Sequence, residues 1–416
     1  MKVIVAHPGK QHSFQMAIAM KKSGCLYKYI TSVYNRSKSF TRILSKCTRG
    51  DLKKKIEGRK CSEIDDSDVL QINEFFVIIT LFLNKIPGFN KLAEEWNRIV
   101  ESSFYKKVMK YALKNKVDAV IVYNGYAKKY FELLDGSGIL KIIDVSIAQR
   151  ECIRDILERE AQESNLPVIR KEHFSYWNER MIRNDIDGCS KADYFLVPSD
   201  FVKNSLVTHN IDECKIRKIP YGVNINHFTV LNHKENSPLK LIYVGGISYR
   251  KGIHRLLEEI STFSCSQVQL YLAGAYDSTS SLYLKYKDFK NIHFLGFVTR
   301  DRLNAAYNEA NVFVLPSFAE GMAMVGLEAL SCGLPLICTK YTGVNDVIID
   351  GKNGFVYDAD DMEQLHSIIE WFLKNKSKIQ QMSFFARETA LNYTWEIYHK
   401  NVSNAICTLI KNQGRI

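Results

Sequence analysis

Two glutamates placed around one predicted helix are the residues of this sequence best suited to bind a polar ligand. The apolar segment Val312–Leu315 predicts a strand buried on both faces, and Pro316 stops it. A helical pattern then runs from about Met322 to Cys332 and ends at Gly333 and Pro335. Glu320 precedes this helix, and Glu328 lies inside it among apolar neighbours. A carboxylate in such a setting is expected to be half-buried and to need partners.

The position of this pair predicts the kind of ligand. Glu320 follows a parallel strand, and open α/β sheets bind ligands outside the carboxyl ends of their strands. The helix begins with free amides around Gly321–Met324 and with the positive end of its dipole, which suit a phosphate. Acids that hold hydroxyl groups beside amides that hold phosphate match the two parts of a nucleotide sugar. The competing interpretation is that Glu320 caps the helix and Glu328 forms a structural salt bridge.

A second candidate anion site lies in the stretch Val244–Gly252, where a predicted strand leads into a helix. Arg250 and Lys251 precede that helix, and cations there oppose the helix dipole, at a cost of up to about 1 kcal/mol each unless an anion is bound. A diphosphate bound there would make the position of these two cations favourable. The stretch lacks the GxGxxG pattern of dinucleotide folds, and a merely solvated Arg-Lys pair is the alternative.

The loop after the first predicted strand is a third candidate. Gly9 would let a substrate approach the backbone, and the helix that follows again suits an anion. His7 and His12 could act as acid and base or as substrate ligands. A structural role, with each ring satisfied by the backbone, is the alternative.

Composition restricts the class of protein. The chain has 416 residues, which suggests two domains, and its ten cysteines form no CxxC or Cys/His cluster. We therefore expect a cytosolic protein with no metal site. The N-terminus enters a strand directly, which predicts that there is no signal peptide. The longest apolar run, Phe75–Leu83, is roughly half a membrane-spanning length and predicts a buried strand or a core helix.

The net charge of +12 is concentrated in the first half of the chain. Basic side chains cluster between residues 38 and 60, and a second group lies on the predicted helix Lys91–Lys116. This excess could attract an anionic membrane surface or an anionic acceptor, or it could be a solvated basic face. Nucleic acid is not expected as a partner, because no interleaved aromatic platform or reader motif is present.

Strand and helix patterns alternate in both halves, which predicts an α/β fold with parallel sheets. The stretch between Lys38 and Asp68 has a polar helical pattern and could be an insertion at the edge of the domain. The turn-rich stretch Ile219–Asn224 marks a crossing between two doubly wound, Rossmann-like domains that face a cleft. The predicted domains are 1–218 and 219–392, and the helices from about 393 return to the first domain.

Taken together, several stretches resemble the family 4 retaining glycosyltransferases of GT-B fold that act in bacterial surface-polysaccharide assembly. The second half carries the matching residues VGGISYRKGIHRLL, NIHFLGFV, VFVLPSFAEGMAMVGLEALSCGLPLICT and YTWEIYHK. The first half matches more loosely, through HPGKQHS, RECIRDILERE, ADYFLVPSDFV and IPYGVN. The Glu-x7-Glu spacing of Glu320 and Glu328 is weak evidence alone. It becomes specific because the other matching stretches occur around it in the family's order.

The resemblance implies roles for individual residues. Glu320 would contact the donor sugar, Glu328 the ribose and Lys251 the diphosphate, and Arg250 could replace the charge of the arginine that the family usually has at the position of Gly246. Further donor contacts would come from Gly9 and Gly246 and from the segment Gly321, Met322, Ala323, Met324 and Val325. The sequence departs from the family at Gly246, where an arginine is usual, at Met322 and Ala323, and at Gln149, which stands where many members have a histidine. His7, His12 and Gln149 are the acceptor-side candidates.

The resemblance also implies an activity. We expect metal-independent transfer of a hexose, with retention of configuration, from a nucleotide sugar to a saccharide or lipid-linked acceptor in polysaccharide or glycolipid assembly. The nucleotide sugar is a substrate, so no cofactor is expected. The protein would be cytoplasmic, with peripheral attachment to the inner face of the membrane. The alternatives are a non-catalytic nucleotide-sugar-binding protein and a nucleotide-sugar epimerase on the same scaffold.

Overall fold

The computed structural model contains two parallel sheets, each covered by helices. It describes residues 1–9, 12–47, 49–83, 90–123, 128–172, 174–231 and 238–413. The first sheet has seven strands in the order β3-β2-β1-β4-β5-β6-β7, and the second has six in the order β10-β9-β8-β11-β12-β13. This arrangement confirms the predicted α/β class with two doubly wound domains.

The strands are short and largely buried, as expected for parallel sheets with helices on both faces. The strands of the first sheet are β1 (Val3–Ala6), β2 (Leu26–Thr31), β3 (Val69–Gln71), β4 (Ala119–Tyr123), β5 (Leu140–Asp144), β6 (Tyr194–Val197) and β7 (Ile216–Lys218). Those of the second are β8 (Leu239–Val244), β9 (Val268–Ala273), β10 (Ile292–Gly296), β11 (Val312–Leu315), β12 (Leu336–Thr339) and β13 (Gly354–Tyr357).

The helices of the described chain connect successive strands or follow the second sheet. Those of the first half are α1 (Ser13–Lys22), α2 (Phe40–Cys47), α3 (Gly50–Glu57), α4 (Glu74–Leu83), α5 (Asn90–Asn115), α6 (Arg150–Glu163), α7 (Val168–Glu172), α8 (Glu179–Cys189) and α9 (Asp200–Val207). Those of the second half are α10 (Ile253–Ile260), α11 (Ser281–Tyr286), α12 (Arg300–Glu309), α13 (Met324–Ser331), α14 (Met362–Lys374), α15 (Ile379–Leu391) and α16 (Trp395–Gln413).

One sequence prediction is wrong near the edge of the first sheet. The polar stretch 38–68 is no insertion, because α2 and α3 form the crossover from β2 to the unpredicted edge strand β3. Of the two interpretations of the apolar run Phe75–Leu83, the structure shows the helix, and Phe75 and Phe76 at its start are exposed. Periodicity could not separate a short apolar helix from a strand.

The C-terminal helix α16 packs against α1 of the first domain. The ring of His399 shares a hydrogen bond of 2.7 Å with the Gln15 side chain, and the sulfur atoms of Cys25 and Cys407 are 3.6 Å apart. A bridge between Val223 and Thr394 holds the start of α16 beside the chain that leaves the first sheet. The segment that enters the second domain and the segment that leaves it are thus held together on the first domain.

Candidate functional site

The predicted site residues gather where the strand order of each sheet reverses. In the second sheet β8 and β11 are neighbours although they are distant in sequence, so Gly246 and Glu320 follow adjacent strand ends. In the first sheet β1 and β4 are neighbours in the same way, and His7 follows β1. Ligands of open α/β sheets bind in the crevice at such a reversal. Both crevices therefore lie where this topology favours a ligand.

Glu320 is in contact with both candidate cations. A carboxylate oxygen accepts a hydrogen bond from the Lys251 ammonium, and Nη1 of Arg250 lies 3.6 Å from the same oxygen. The Glu320 side chain is only 13% exposed. The backbone amide of Phe318 donates to the Arg250 carbonyl at 2.9 Å, which ties the two loops together. This placement is consistent with the sequence prediction that Glu320, Arg250 and Lys251 belong to one site.

Two features make the cation pair suited to an anion. Burial lowers the pKa of Lys251, and the nearby charges of Glu320 and Arg250 act on it in opposite directions. Nε of Arg250 is buried and has no hydrogen-bond acceptor among the residues that the structure describes. A buried donor of this kind is costly unless an acceptor is supplied. A methyl group added to Gly246 would meet no described atom within 4 Å, so the backbone there is open to a ligand.

The segment between Glu320 and α13 is tightly packed. The amide of Ala323 donates to the Thr342 carbonyl at 3.0 Å, so this amide is already used within the domain. The sulfur of Met322 accepts from the Tyr221 amide at 3.3 Å, and a methyl group on Gly321 would collide with the Ser146 carbonyl of the first domain. Met324 and Val325 begin α13, where first-turn amides lack helical partners.

Glu328 is half-buried in α13, as its apolar neighbours predict. Its Oε2 accepts a hydrogen bond of 3.2 Å from the hydroxyl of Tyr307, a side chain of α12 that is fully buried. Burial raises the pKa of Glu328 to about 7, although Tyr307 and the charge of Arg300 partly offset the effect. With a pKa of about 7, this carboxyl is only partly ionised at neutral pH. Hydrogen bonds from the hydroxyl groups of a ligand would stabilise its charged form.

On the first domain, His7 and His12 each make an edge contact with the ring of the buried Tyr123. Nδ1 of His7 accepts from the Gly9 amide at 2.8 Å, which holds the loop in shape. Nε2 of His12 lies 3.1 Å from the buried carboxylate of Asp144 and 3.1 Å from the Tyr221 hydroxyl. His12 is thus oriented by a carboxylate, the arrangement that fixes the tautomer of an acid or base. Lys10 and Gln11 of the same loop lie outside the described residues.

Gln149 is placed differently from the other acceptor-side candidates. Its side chain is 3% exposed, and its amide nitrogen donates to Cys189 Sγ at 3.7 Å. The backbone amide of the same residue donates to Ser205 Oγ. Gln149 therefore faces the interior of the first domain and is not brought together with His7 and His12.

Several residues that sequence patterns did not single out join the two domains around this site. Glu160 on α6 accepts from His254 Nε2 at 2.7 Å and from Nε and Nη2 of Arg255, each at 2.9 Å. Glu172 accepts from the amide of Tyr249. Ser199 Oγ donates to the Gly321 carbonyl at 2.5 Å. These partners lie far apart in the sequence, so no local pattern could have identified them.

Two kinds of feature are absent from the part of the chain that the structure describes. It holds no group of three or more His, Cys, Asp or Glu side chains that could bind a metal ion. It also contains no helix whose length and apolarity would let it cross a membrane.

The same fold is found in known structures. The fold matches a sucrose-phosphate synthase from Thermosynechococcus elongatus with a TM-score of 0.66 at 17% identity, over 99% of this chain and all of the other. It matches Anabaena HepE, solved with UDP and glucose, with a TM-score of 0.64 at 14% identity, over 98% of this chain and all of the other. These likenesses confirm the predicted GT-B fold.

The family comparison concerns the second domain. Residues 226–389, which include Glu320, Glu328 and the Arg250-Lys251 pair, match the family model of Glycosyl transferases group 1. The match lies within the second domain and covers less than half of the chain. Over 233 residues the chain is 27% identical to the capsular polysaccharide biosynthesis glycosyltransferase CapM of Staphylococcus aureus, in an alignment that covers 51% of this chain. The alignment spans 61% of CapM, less than two thirds of its length.

Proposed function

We propose that this protein is a retaining glycosyltransferase that moves a hexose from a nucleotide sugar to a saccharide or lipid-linked saccharide. The observation that carries the proposal is the convergence of Lys251, Arg250 and Glu320 at the crevice where the second sheet reverses its strand order. The cations suit a diphosphate, and the carboxylate suits the hydroxyls of the attached sugar. Glu328, which lies on the helix α13 that follows Glu320, suits the ribose.

In the proposed reaction the bond between the sugar C1 and the diphosphate oxygen breaks, and a bond from the acceptor oxygen to C1 forms on the same face. The acceptor proton passes to the departing phosphate oxygen. Lys251, Arg250 and the first-turn amides of α13 neutralise the charge that develops on the diphosphate, a task that needs no metal. Glu320 holds the sugar hydroxyls and stabilises positive charge near C1, without acting as a nucleophile.

The acceptor would bind on the first domain near His7 and His12. Asp144 orients His12, so the ring could hold an acceptor hydroxyl in a fixed direction. The net charge of +12 favours peripheral attachment to an anionic membrane, where a cytoplasmic protein would meet a lipid-linked acceptor. The relative CapM, named for capsular polysaccharide biosynthesis, supports an acceptor in surface-polysaccharide assembly.

The test is a transfer assay with a panel of UDP- and GDP-hexoses and lipid-linked or free saccharide acceptors. We expect release of the nucleoside diphosphate to depend on the acceptor, and we expect NMR of the product to show the anomeric configuration of the donor. Inversion would overturn the retaining mechanism. Formation of an epimerised sugar without transfer, or donor binding without any turnover, would instead support one of the two alternatives.

A further inference from the structure

The first domain exposes a continuous row of aromatic side chains where three helices meet. We call this the aromatic face, and it comprises Phe40 of α2, Phe75 and Phe76 of α4 and Trp96 of α5. Successive ring centroids in this row, from Phe40 to Phe75 to Phe76 to Trp96, are each 6.0 Å apart. The three phenylalanines are 45%, 56% and 43% exposed. Water-exposed aromatic clusters of this kind mark interaction surfaces.

Polar contacts fix the helices that carry the aromatic face. Oε1 of Glu74 accepts hydrogen bonds from the amide and the hydroxyl of Thr41, at 2.8 and 2.6 Å, which joins the start of α4 to the start of α2. Nε1 of Trp96 donates to the Phe76 carbonyl at 3.2 Å. Ile78 and Thr80, further along α4, are buried. The rings are therefore displayed on an anchored scaffold, and their exposure follows from the packing of the helices.

The charge beside the aromatic face is positive on α2, whereas on α5 the exposed Glu95 next to Trp96 forms an ion pair with Arg98. Helix α2 contains Arg42 and Lys46 and no acidic residue, and Ile43 between them is 57% exposed. Lys38, just before the helix, is also exposed. Aromatic and aliphatic side chains beside exposed cations match the boundary between headgroups and acyl chains of an anionic bilayer, where rings enter and cations meet phosphate.

The topology places this surface beside the crevice of the first domain. Helices α2 and α4 begin after the carboxyl ends of β2 and β3, and α5 ends shortly before β4 begins, so it starts near the same edge. His7, which follows β1, and Asp144, which ends β5, lie along that edge as well. A bilayer on the aromatic face would therefore lie at the mouth of the proposed acceptor site.

We infer that the aromatic face inserts into an anionic lipid surface and holds the crevice of the first domain beside it. Phe75, Phe76 and Trp96 enter the interface, and Arg42 and Lys46 contact the lipid phosphates. This inference gives a place to the membrane attachment suggested by the net charge. It rests on the membrane attachment in the proposed function, and its test needs neither donor nor acceptor, so a failure to bind vesicles is distinguishable from a failure of transfer.

The test is flotation of the purified full chain with vesicles of phosphatidylcholine and phosphatidylglycerol. We expect the protein to float with these vesicles and not with phosphatidylcholine alone. The double variant Phe75→Ser/Phe76→Ser should bind the anionic vesicles about tenfold or more weakly, because it removes two inserted rings. High salt should weaken the binding of the unaltered chain by screening Arg42 and Lys46. Absence of flotation by the unaltered chain would overturn the inference.

The matched control is Phe384→Ser, because Phe384 is 61% exposed on α15 of the second half. It should float like the unaltered chain, and equal losses in both variants would contradict a specific role for the aromatic face. The tryptophan emission should shift to the blue on vesicle binding, and Trp96→Phe should remove that shift. A concentration-dependent dimer that Phe75→Ser/Phe76→Ser abolishes, without vesicle binding, would show that the face joins two copies of the chain and would overturn the inference.

Discussion

Glu320 lies against two cations, so it influences the site first through its charge. It neutralises part of the field of Lys251 and Arg250, and in the proposed reaction it meets positive charge near the sugar C1. An interaction that strengthens in the transition state changes the turnover number more than the affinity for the donor.

We therefore expect Glu320→Gln to lower kcat by about 100-fold with a small change in donor affinity. Initial rates of nucleoside diphosphate release, together with a direct binding titration, would separate the two effects. Glu363→Gln, which alters an exposed carboxylate on α14, serves as the control. Undiminished turnover of Glu320→Gln would remove this residue from the mechanism.

In the protein without ligand, the buried charge of Glu328 lowers the free energy of unfolding. A bound ligand would offset this loss. The pKa of this carboxyl is raised from 4.5 to about 7 by burial. Because the folded pKa lies above the unfolded value, the carboxyl favours folding fully below pH 4.5, and this contribution is lost as the pH rises through 7. At alkaline pH the buried charge therefore destabilises the chain.

Replacing this charge should have opposite effects on stability and binding. We expect Glu328→Gln to raise the free energy of unfolding at about pH 8 by roughly 1 to 2 kcal/mol, to change it little near about pH 4.5, and to weaken nucleotide binding. Denaturant titrations at the two pH values would measure the first effect. An equal gain at both pH values would show that the carboxyl does not titrate in this range.

At the scale of elements, the contact between α6 and α10 joins the two domains through one buried carboxylate. The Glu160 side chain is 1% exposed. Burial alone would raise its pKa, but hydrogen bonds from His254, Arg255 and Ser164 hold that pKa below its usual value. A depressed carboxyl pKa stabilises the fold above the unfolded pKa, and this stabilisation is lost as the pH falls through the folded value.

We expect Glu160→Gln to lower the free energy of unfolding at about pH 7 by roughly 2 to 4 kcal/mol, since it leaves the guanidinium of Arg255 without its anion. The control Glu163→Gln removes an exposed carboxylate on the same helix and should change it little. Urea titrations of both variants would measure the difference. Equal stabilities would mean that the α6–α10 contact does not hold the domains together.

Prediction from sequence succeeded for elements that have a clear hydrophobic period or a distinctive composition. Strand β11 has the predicted bounds because a buried parallel strand is a continuous apolar run. The short edge strand β3 was missed, since its three residues carry too little pattern. Helix α4 was ambiguous because its apolar residues lie on all sides of the helix.

For the whole molecule, the site could be predicted only in part. Glu320, Glu328 and Lys251 stand in recognisable local patterns, so the sequence indicates their roles. Tyr307, which holds Glu328, and Asp144, which orients His12, depend on contacts made across the fold. The same is true of Glu160 and His254, which meet across 94 residues. No pattern within one segment specifies such partners.

The account as a whole depends on a diphosphate being held by Lys251 in the crevice of the second domain. Calorimetric titration of the full chain with UDP- and GDP-hexoses tests this most directly. We expect saturable binding of at least one donor, weakened by roughly 1.5 to 3 kcal/mol in Lys251→Ala and unchanged in Lys287→Ala, which alters an exposed lysine at the end of α11. Failure of every donor to bind, or equal affinity in Lys251→Ala, would contradict the account.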